Sequence, residues 1–147
     1  MEKYYKSFDQ LDLQELYKIL QLRNEVFVVE QNCIYQDADG KDQNAIHLFY
    51  KDKDKIAAYT RIFDAGKYFE NASIGRVVVS PDYRKKGLGK KIMADSIDFI
   101  HNHLNQPVIE ISAQTYLKKF YNELGFKEKG TEYLEDGIPH IKMIKKI

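Results

Sequence analysis

The chain has 147 residues, of which 44% are hydrophobic and 31% charged, and its formal net charge is +1. This length suits one globular domain with its own core, and the near-neutral charge excludes a generally basic surface for nucleic acid. The single cysteine cannot form an intramolecular disulfide, residues 1–12 are too polar for a signal peptide, and no apolar run approaches the ~20 residues that cross a bilayer. We therefore expect one cytoplasmic domain, residues 1–147, that binds neither nucleic acid nor a membrane.

The first half of the chain predicts a strand, a helix and three further strands. Asp12 and Glu15 have the spacing of a capping box at a helix start, and apolar residues follow at helical spacing. Arg23 lies on the same apolar stripe, where a core residue is expected. The polar stretch at 37–42 predicts a capped surface loop, because its spacing does not match a calcium loop. The strands are expected at residues 3–8, 45–50, 56–63 and 73–80.

The second half alternates helices and strands. Apolar residues at helical spacing predict a long helix from Gly87 to Leu104, which closes before Pro107. A strand at 108–112, a short helix at 117–124 and two strands around the turn at residues 136–139 complete the chain. This order predicts a mixed sheet with helices on its faces, in the α/β or α+β class.

Residues 84–90 combine positive charge, glycine and a helix start. The first N–H groups of a helix have no intrahelical partner, and the helix dipole favours an anion there. Gly87 and Gly89 leave the amides open to approach, and four basic side chains add charge: Arg84, Lys85, Lys86 and Lys90. We call residues 84–90 the phosphate turn. The spacing matches neither a Walker loop, because Lys91 follows Lys90, nor a dinucleotide fingerprint, and a solvated basic helix start is the alternative.

The pattern Arg84-x-x-Gly87-x-Gly89 after a valine-rich strand resembles the pyrophosphate-binding motif of the GNAT superfamily of N-acetyltransferases. Downstream, Tyr121 four residues before Gly125-Phe126 is similar to a second segment of that superfamily, in which a tyrosine stands beside the CoA sulfur. Three further segments, residues 22–33, 35–40 and 135–141, resemble the ElaA-like branch. Many members have asparagine where this chain has Gln114.

The resemblance implies a GNAT-type mixed, mainly antiparallel sheet of about seven strands with helices on both faces. It implies acetyl-CoA as the cofactor and an amine, in a small molecule or a peptide, as the acceptor. It also implies that Tyr121 is the general acid. The residues that would bind CoA are Val77, Val78, Val79, Arg84, Lys85, Lys86, Gly87, Leu88, Gly89 and Lys90. A homodimer is compatible with the size of the domain.

In such an enzyme the amine attacks the thioester directly, and positioning supplies most of the rate advantage. A tyrosine with a pKa near ~10 keeps its proton at neutral pH and can give it to the departing thiolate, although Tyr121 could instead be a packing residue. The candidates for the general base are Glu30, His47, Glu110 and His140. Of these, Glu30, His47 and His140 are also candidates for contacting the acceptor.

Two arginines are candidates for binding a carboxylate of the acceptor. Arg23 and Arg76 each lie where a planar guanidinium could do so, and buried ion pairs with acids such as Glu25 or Glu30 are the alternative. No metal or serine-hydrolase motif is present. A non-catalytic acyl-CoA-binding module is the alternative function.

Overall fold

A computed structural model describes residues 1–147. Three α-helices and seven strands form in the order that the sequence predicts. The strands are β1 (Glu2–Ser7), β2 (Ile46–Asp52), β3 (Lys55–Phe63), β4 (Ala72–Val79), β5 (Val108–Gln114), β6 (Lys127–Glu135) and β7 (Ile138–Lys146). The helices are α1 (Leu13–Arg23), α2 (Leu88–Asn102) and α3 (Lys118–Glu123). No helix has both the length and the apolar character that a membrane span requires.

All seven strands belong to one sheet in the order β1-β2-β3-β4-β5-β7-β6. Every neighbouring pair is antiparallel except β4 and β5, which run parallel. The predicted α/β class, with a mixed and mainly antiparallel sheet, is therefore confirmed.

Helices cover both faces of this sheet. Successive strand residues point to opposite faces, and on β3 Ala58 packs in the core cluster that contains Ile92 of α2, whereas Tyr59 packs with Ile19 of α1. Tyr121 of α3 belongs to the same cluster as Ile92. We call the two sides the α2 face and the α1 face.

The first helix begins as its sequence predicts and ends in an unusual way. Asp12 accepts from the backbone N–H of Glu15 at 2.7 Å, and Glu15 accepts from that of Asp12 at 3.0 Å, so the capping box is formed. After Arg23 the chain continues without a break into a wider π-helical segment, Asn24–Glu30. Such segments occur often at functional sites, and this one leads to the mouth of the cleft described below.

The parallel strands β4 and β5 pair only at their first residues. The paired positions are Ala72 with Ile109 and Ser73 with Glu110. Farther along, β4 contains a bulge, because two of its residues lie opposite the single residue between Tyr59 and Arg61 of β3. Arg76 in this bulge has a left-handed φ of 50°. A bulge bends and twists a strand, so β4 turns away from β5 and a gap opens in the sheet.

Candidate active site

The gap between β4 and β5 is a cleft of about 360 Å³. The predicted site residues on its wall are Arg76, Val77, Val78, Val79, Arg84, Gly89, Tyr121 and His140. The wall does not include Arg23, Glu30, His47, Lys85, Lys86, Gly87, Leu88, Lys90 or Glu110. The remaining wall residues are mainly apolar and aromatic, but they also include Arg61 and Glu135, which sequence reasoning did not select.

The phosphate turn lies where the end of β4 leads into α2. Lys85 and Gly87 both have left-handed backbone conformations, with φ of 65° and 75°. Gly87 directly precedes the first residue of α2 and adopts this conformation without the strain that a Cβ atom would add. The unpaired N–H groups at the start of α2 therefore lie next to the cleft, whose wall includes Arg84 and Gly89 of this turn.

Gly89, inside the first turn of α2, lies against the cleft wall. A Cβ atom there would meet the Phe120 ring at 3.6 Å and Cγ2 of Val79 at 3.9 Å. The helix start is thus packed between β4 and α3, and these two elements fix its position relative to the cleft.

Arg84 forms a forked ion pair with Glu30 at the end of the π-helical segment. The two terminal nitrogens donate to the carboxylate oxygens at 2.8 and 2.6 Å. The Arg84 hydrogen bonds and charge hold the pKa of Glu30 below its ordinary value. Glu30 was predicted as a base or a substrate contact, but its carboxylate is occupied by Arg84 and lies off the cleft wall.

Tyr121 lines the cleft and is 7% exposed. Its ring meets those of Phe120 and Phe126 edge to face, at centroid distances of 5.1 and 6.1 Å. Burial raises the pKa of Tyr121 well above its ordinary value. The phenol therefore keeps its proton at neutral pH.

Arg23 is fully buried in ion pairs rather than facing an acceptor. Its Nε donates to Asp37 at 2.8 Å and a terminal nitrogen donates to Asp42 at 2.8 Å. The partners are neither Glu25 nor Glu30. The prediction that Arg23 binds the acceptor is wrong on this geometry, because the side chain is 0% exposed and does not reach the cleft.

Two further arginines join the same cluster. Arg61 donates to Asp42 at 2.9 Å and, with both terminal nitrogens, to Asp39 at 2.9 Å. Arg76 donates to Asp37 at 2.8 Å and pairs with Asp39 at 3.5 Å. Burial alone would raise the pKa of Asp39, but the Arg61 hydrogen bonds and charge lower it to about 2. The loop at 37–42 is therefore the anionic half of a balanced three-arginine, three-aspartate network and not a free surface loop.

His47 and Glu110 are engaged elsewhere. His47 is 1% exposed, accepts from the Tyr59 hydroxyl at 2.6 Å and donates to the backbone carbonyl of Asp42 at 2.9 Å, so neither ring nitrogen is available as a base. Burial lowers the pKa of His47. Glu110 is 9% exposed and pairs with Lys142 at 3.6 Å. Neither residue lines the cleft, so the geometry does not support either as the base.

His140 is the candidate base that does line the cleft. It lies on β7 opposite Gln114 of β5 and Tyr133 of β6. Its Nε2 lies 3.4 Å from a carboxylate oxygen of Glu135. The turn at residues 136–137 in the sequence could have indicated that His140 and Glu135 lie close together, because it reverses the chain so that β6 and β7 lie side by side.

Comparison with known proteins identifies the class. Residues 10–147 match the family model described as an acetyltransferase (GNAT) domain. The chain therefore belongs to the GNAT acetyltransferase family, and it is an enzyme that transfers an acyl group from acyl-CoA.

Within this class the chain is similar to ElaA and to UPF0039 proteins. ElaA of Escherichia coli is 39% identical over 140 residues, 94% of this chain and 92% of the relative, and its crystal structure aligns over 99% of both chains with a TM-score of 0.91. A UPF0039 protein of Schizosaccharomyces pombe is 40% identical over 145 residues, 97% of this chain and 95% of the relative. The crystal structure of an acyl-CoA N-acyltransferase from Pseudomonas aeruginosa has a TM-score of 0.92 and 37% identity over 99% of both chains. The predicted ElaA-like resemblance is confirmed.

Proposed function

We propose that the chain is an N-acetyltransferase that moves an acetyl group from acetyl-CoA to an amine by direct attack of the amine on the thioester. The observation that carries this proposal is that the phosphate turn and Tyr121 adjoin one cleft, opened where β4 leaves β5. A donor held at both positions would place its thioester in the gap of the sheet.

The phosphate turn is suited to the diphosphate of CoA. The free N–H groups of the first turn of α2 and the surrounding basic side chains both favour an anion. Beyond Ser73, β4 has no strand partner on the side that faces β5, so the backbone of Val77–Val79 is open to the amides of the pantetheine arm. Binding at both sites aligns the thioester for attack.

The chemical step needs one acid and one base. The amine nitrogen forms a bond to the thioester carbon, the carbon–sulfur bond breaks, and the departing thiolate takes a proton from Tyr121. Burial keeps Tyr121 protonated until the sulfur acquires negative charge, and a positioned acid can then donate its proton to that sulfur.

The proposal is tested by thiol release from acetyl-CoA in the presence of amines of several classes: polyamines, aminoglycosides, amino acids, peptide N-termini and protein lysines. We expect CoA alone to raise the melting temperature, because a ligand that binds only the folded state stabilises it, and we expect at least one amine class to accelerate thiol release. Stabilisation by CoA without amine-dependent release would contradict the N-acetyltransferase proposal while leaving acyl-CoA binding intact.

Glu30→Gln is expected to tighten CoA binding. In the free protein the Arg84 charge is neutralised by Glu30, and an incoming diphosphate competes with that carboxylate. Because the pair is partly exposed, we expect an increase in affinity of about two- to fivefold at low salt, which shrinks as salt rises.

The measurement is calorimetric titration of CoA at two salt concentrations. Glu132→Gln on the exposed strand β6 changes the net charge equally and is the control. Weaker CoA binding by Glu30→Gln would mean that Glu30 orients Arg84 for the phosphate rather than competing with it.

A further inference from the structure

We propose that His140 is the base that takes a proton from the ammonium form of the acceptor and that Glu135 positions and stabilises the imidazolium. This inference rests on the proposed N-acetyl transfer and names the proton acceptor that the reaction requires.

The hydrogen bond at Nδ1 sets the protonation pattern of the ring. Nδ1 of His140 lies 2.7 Å from the backbone carbonyl of Ile138. A carbonyl oxygen only accepts, so Nδ1 carries the hydrogen, and Nε2 of the neutral ring holds the lone pair. The ring is 6% exposed and stacks on Tyr133 at a centroid distance of 6.2 Å, so both its tautomer and its orientation are fixed.

Glu135 stands where a positive charge on the ring would be stabilised. Its Oε2 lies 3.4 Å from Nε2, and its Oε1 accepts from the Ser112 hydroxyl at 3.2 Å. Ser112 in turn shares a hydrogen bond with the Tyr133 hydroxyl. Glu135 and His140 both line the cleft, so an amine proton can reach Nε2 while the carboxylate remains beside it.

His140 reaches the cleft from the face opposite Tyr121. Ile141 packs in the same core cluster as Tyr121 on the α2 face. The neighbouring His140 therefore points to the α1 face, since strand side chains alternate. Because the cleft passes through the sheet, the acid Tyr121 lies on the α2 face and the base His140 on the α1 face. The acceptor can therefore enter from the α1 face while the thiolate leaves on the α2 face.

The charges near His140 favour an acceptor that arrives as a cation. Glu135 and Asp136 line this part of the cleft. Three arginines lie on the wall, and all are paired: Arg61 and Arg76 with the aspartates of the buried network, and Arg84 with Glu30. A carboxylate beside the reacting amine would be repelled by Glu135 and Asp136, and no unpaired arginine on the wall would offset the repulsion. We therefore expect the acceptor to be a primary ammonium with no adjacent carboxylate.

The overall reaction releases one proton. The ammonium gives one proton to Nε2 of His140, and the neutral amine attacks. Tyr121 protonates the thiolate as the carbon–sulfur bond breaks, and the nitrogen returns a second proton to the tyrosinate. The proton on His140 leaves to solvent, so the net products are the amide, CoA thiol and one proton.

The first experiment needs no acceptor. Nitrogen-15 NMR of the histidine rings should show the Nδ1–H tautomer for the neutral ring of His140. An Nε2–H tautomer would overturn the proposal. This result stands or falls independently of whether acetyl transfer occurs.

The second experiment measures thiol release with 2-phenylethylamine and phenylalanine, which differ by the carboxylate beside the amine, and with any better amine from the panel. His140→Gln should lower kcat by about 10²-fold and leave the melting-temperature shift with CoA unchanged. Glu135→Gln should move the acid limb of the kcat/KM profile to lower pH by up to about one unit. On β5, β6 and β7 the charged groups on the same sheet face are Glu110, Lys127, Lys129, Glu135, Lys142 and Lys146, and Glu110 pairs with Lys142.

A His140→Gln enzyme with undiminished kcat would overturn the assignment of the base, and a preference for phenylalanine over 2-phenylethylamine would overturn the cationic acceptor. If His140→Gln does not fold, Glu135→Gln still tests the proposal. A carboxylate with only a structural role would change stability without moving the acid limb of the kcat/KM profile.

Discussion

Tyr121→Phe should lower kcat by about 10²-fold or more while CoA binding is retained. Removing a general acid costs about 10²- to 10⁴-fold, because the thiolate must then find its proton in water. The phenylalanine ring keeps the edge-to-face contacts with Phe120 and Phe126. The cleft should therefore keep its shape.

The measurement is thiol release under saturating acetyl-CoA, with melting temperatures taken with and without CoA. Tyr17→Phe on α1, where the side chain is 69% exposed, is the matched control and should be unchanged. A Tyr121→Phe enzyme with the kcat of the unaltered protein would remove Tyr121 from the acid role and leave it as a packing residue.

Arg23→Met should destabilise the fold by about 3–5 kcal/mol. The substitution leaves Asp37 and Asp42 buried with fewer positive partners, and an uncompensated buried charge is costly. For a chain of this size the melting temperature should fall by roughly 10–16 °C.

Urea unfolding without ligand measures this effect. Arg84→Met is the matched control, because the same substitution there breaks a partly exposed pair with Glu30 and should cost less than about 1 kcal/mol. Equal losses in the two variants would mean that the buried network contributes no more than a surface pair.

The order of the elements could be predicted from local patterns because each carries its own periodicity. The apolar spacing of α2, the capping box of Asp12 and Glu15 and the valine-rich β4 all depend on residues close in sequence. The phosphate turn was predictable for the same reason, since glycine and positive charge precede the helix within a few residues.

The buried ion network could not be predicted because its partners come from distant parts of the chain. Arg76 and Asp37 are 39 residues apart in sequence, and an acidic loop with glycine has the same composition whether it is solvated or paired. The bulge in β4 could not be predicted either, because an arginine in the sequence does not indicate the left-handed backbone conformation that Arg76 adopts. The roles of the site residues, the single domain, the homodimer and the cytoplasmic location stay predictions.

The position of CoA in a crystal structure of the complex tests the central claim most directly. We expect the diphosphate at the N-terminal end of α2, the pantetheine arm along β4 at Val77–Val79, and the sulfur within about 3.5 Å of the Tyr121 hydroxyl. A diphosphate bound away from the phosphate turn, or a sulfur beyond the reach of Tyr121, would contradict it.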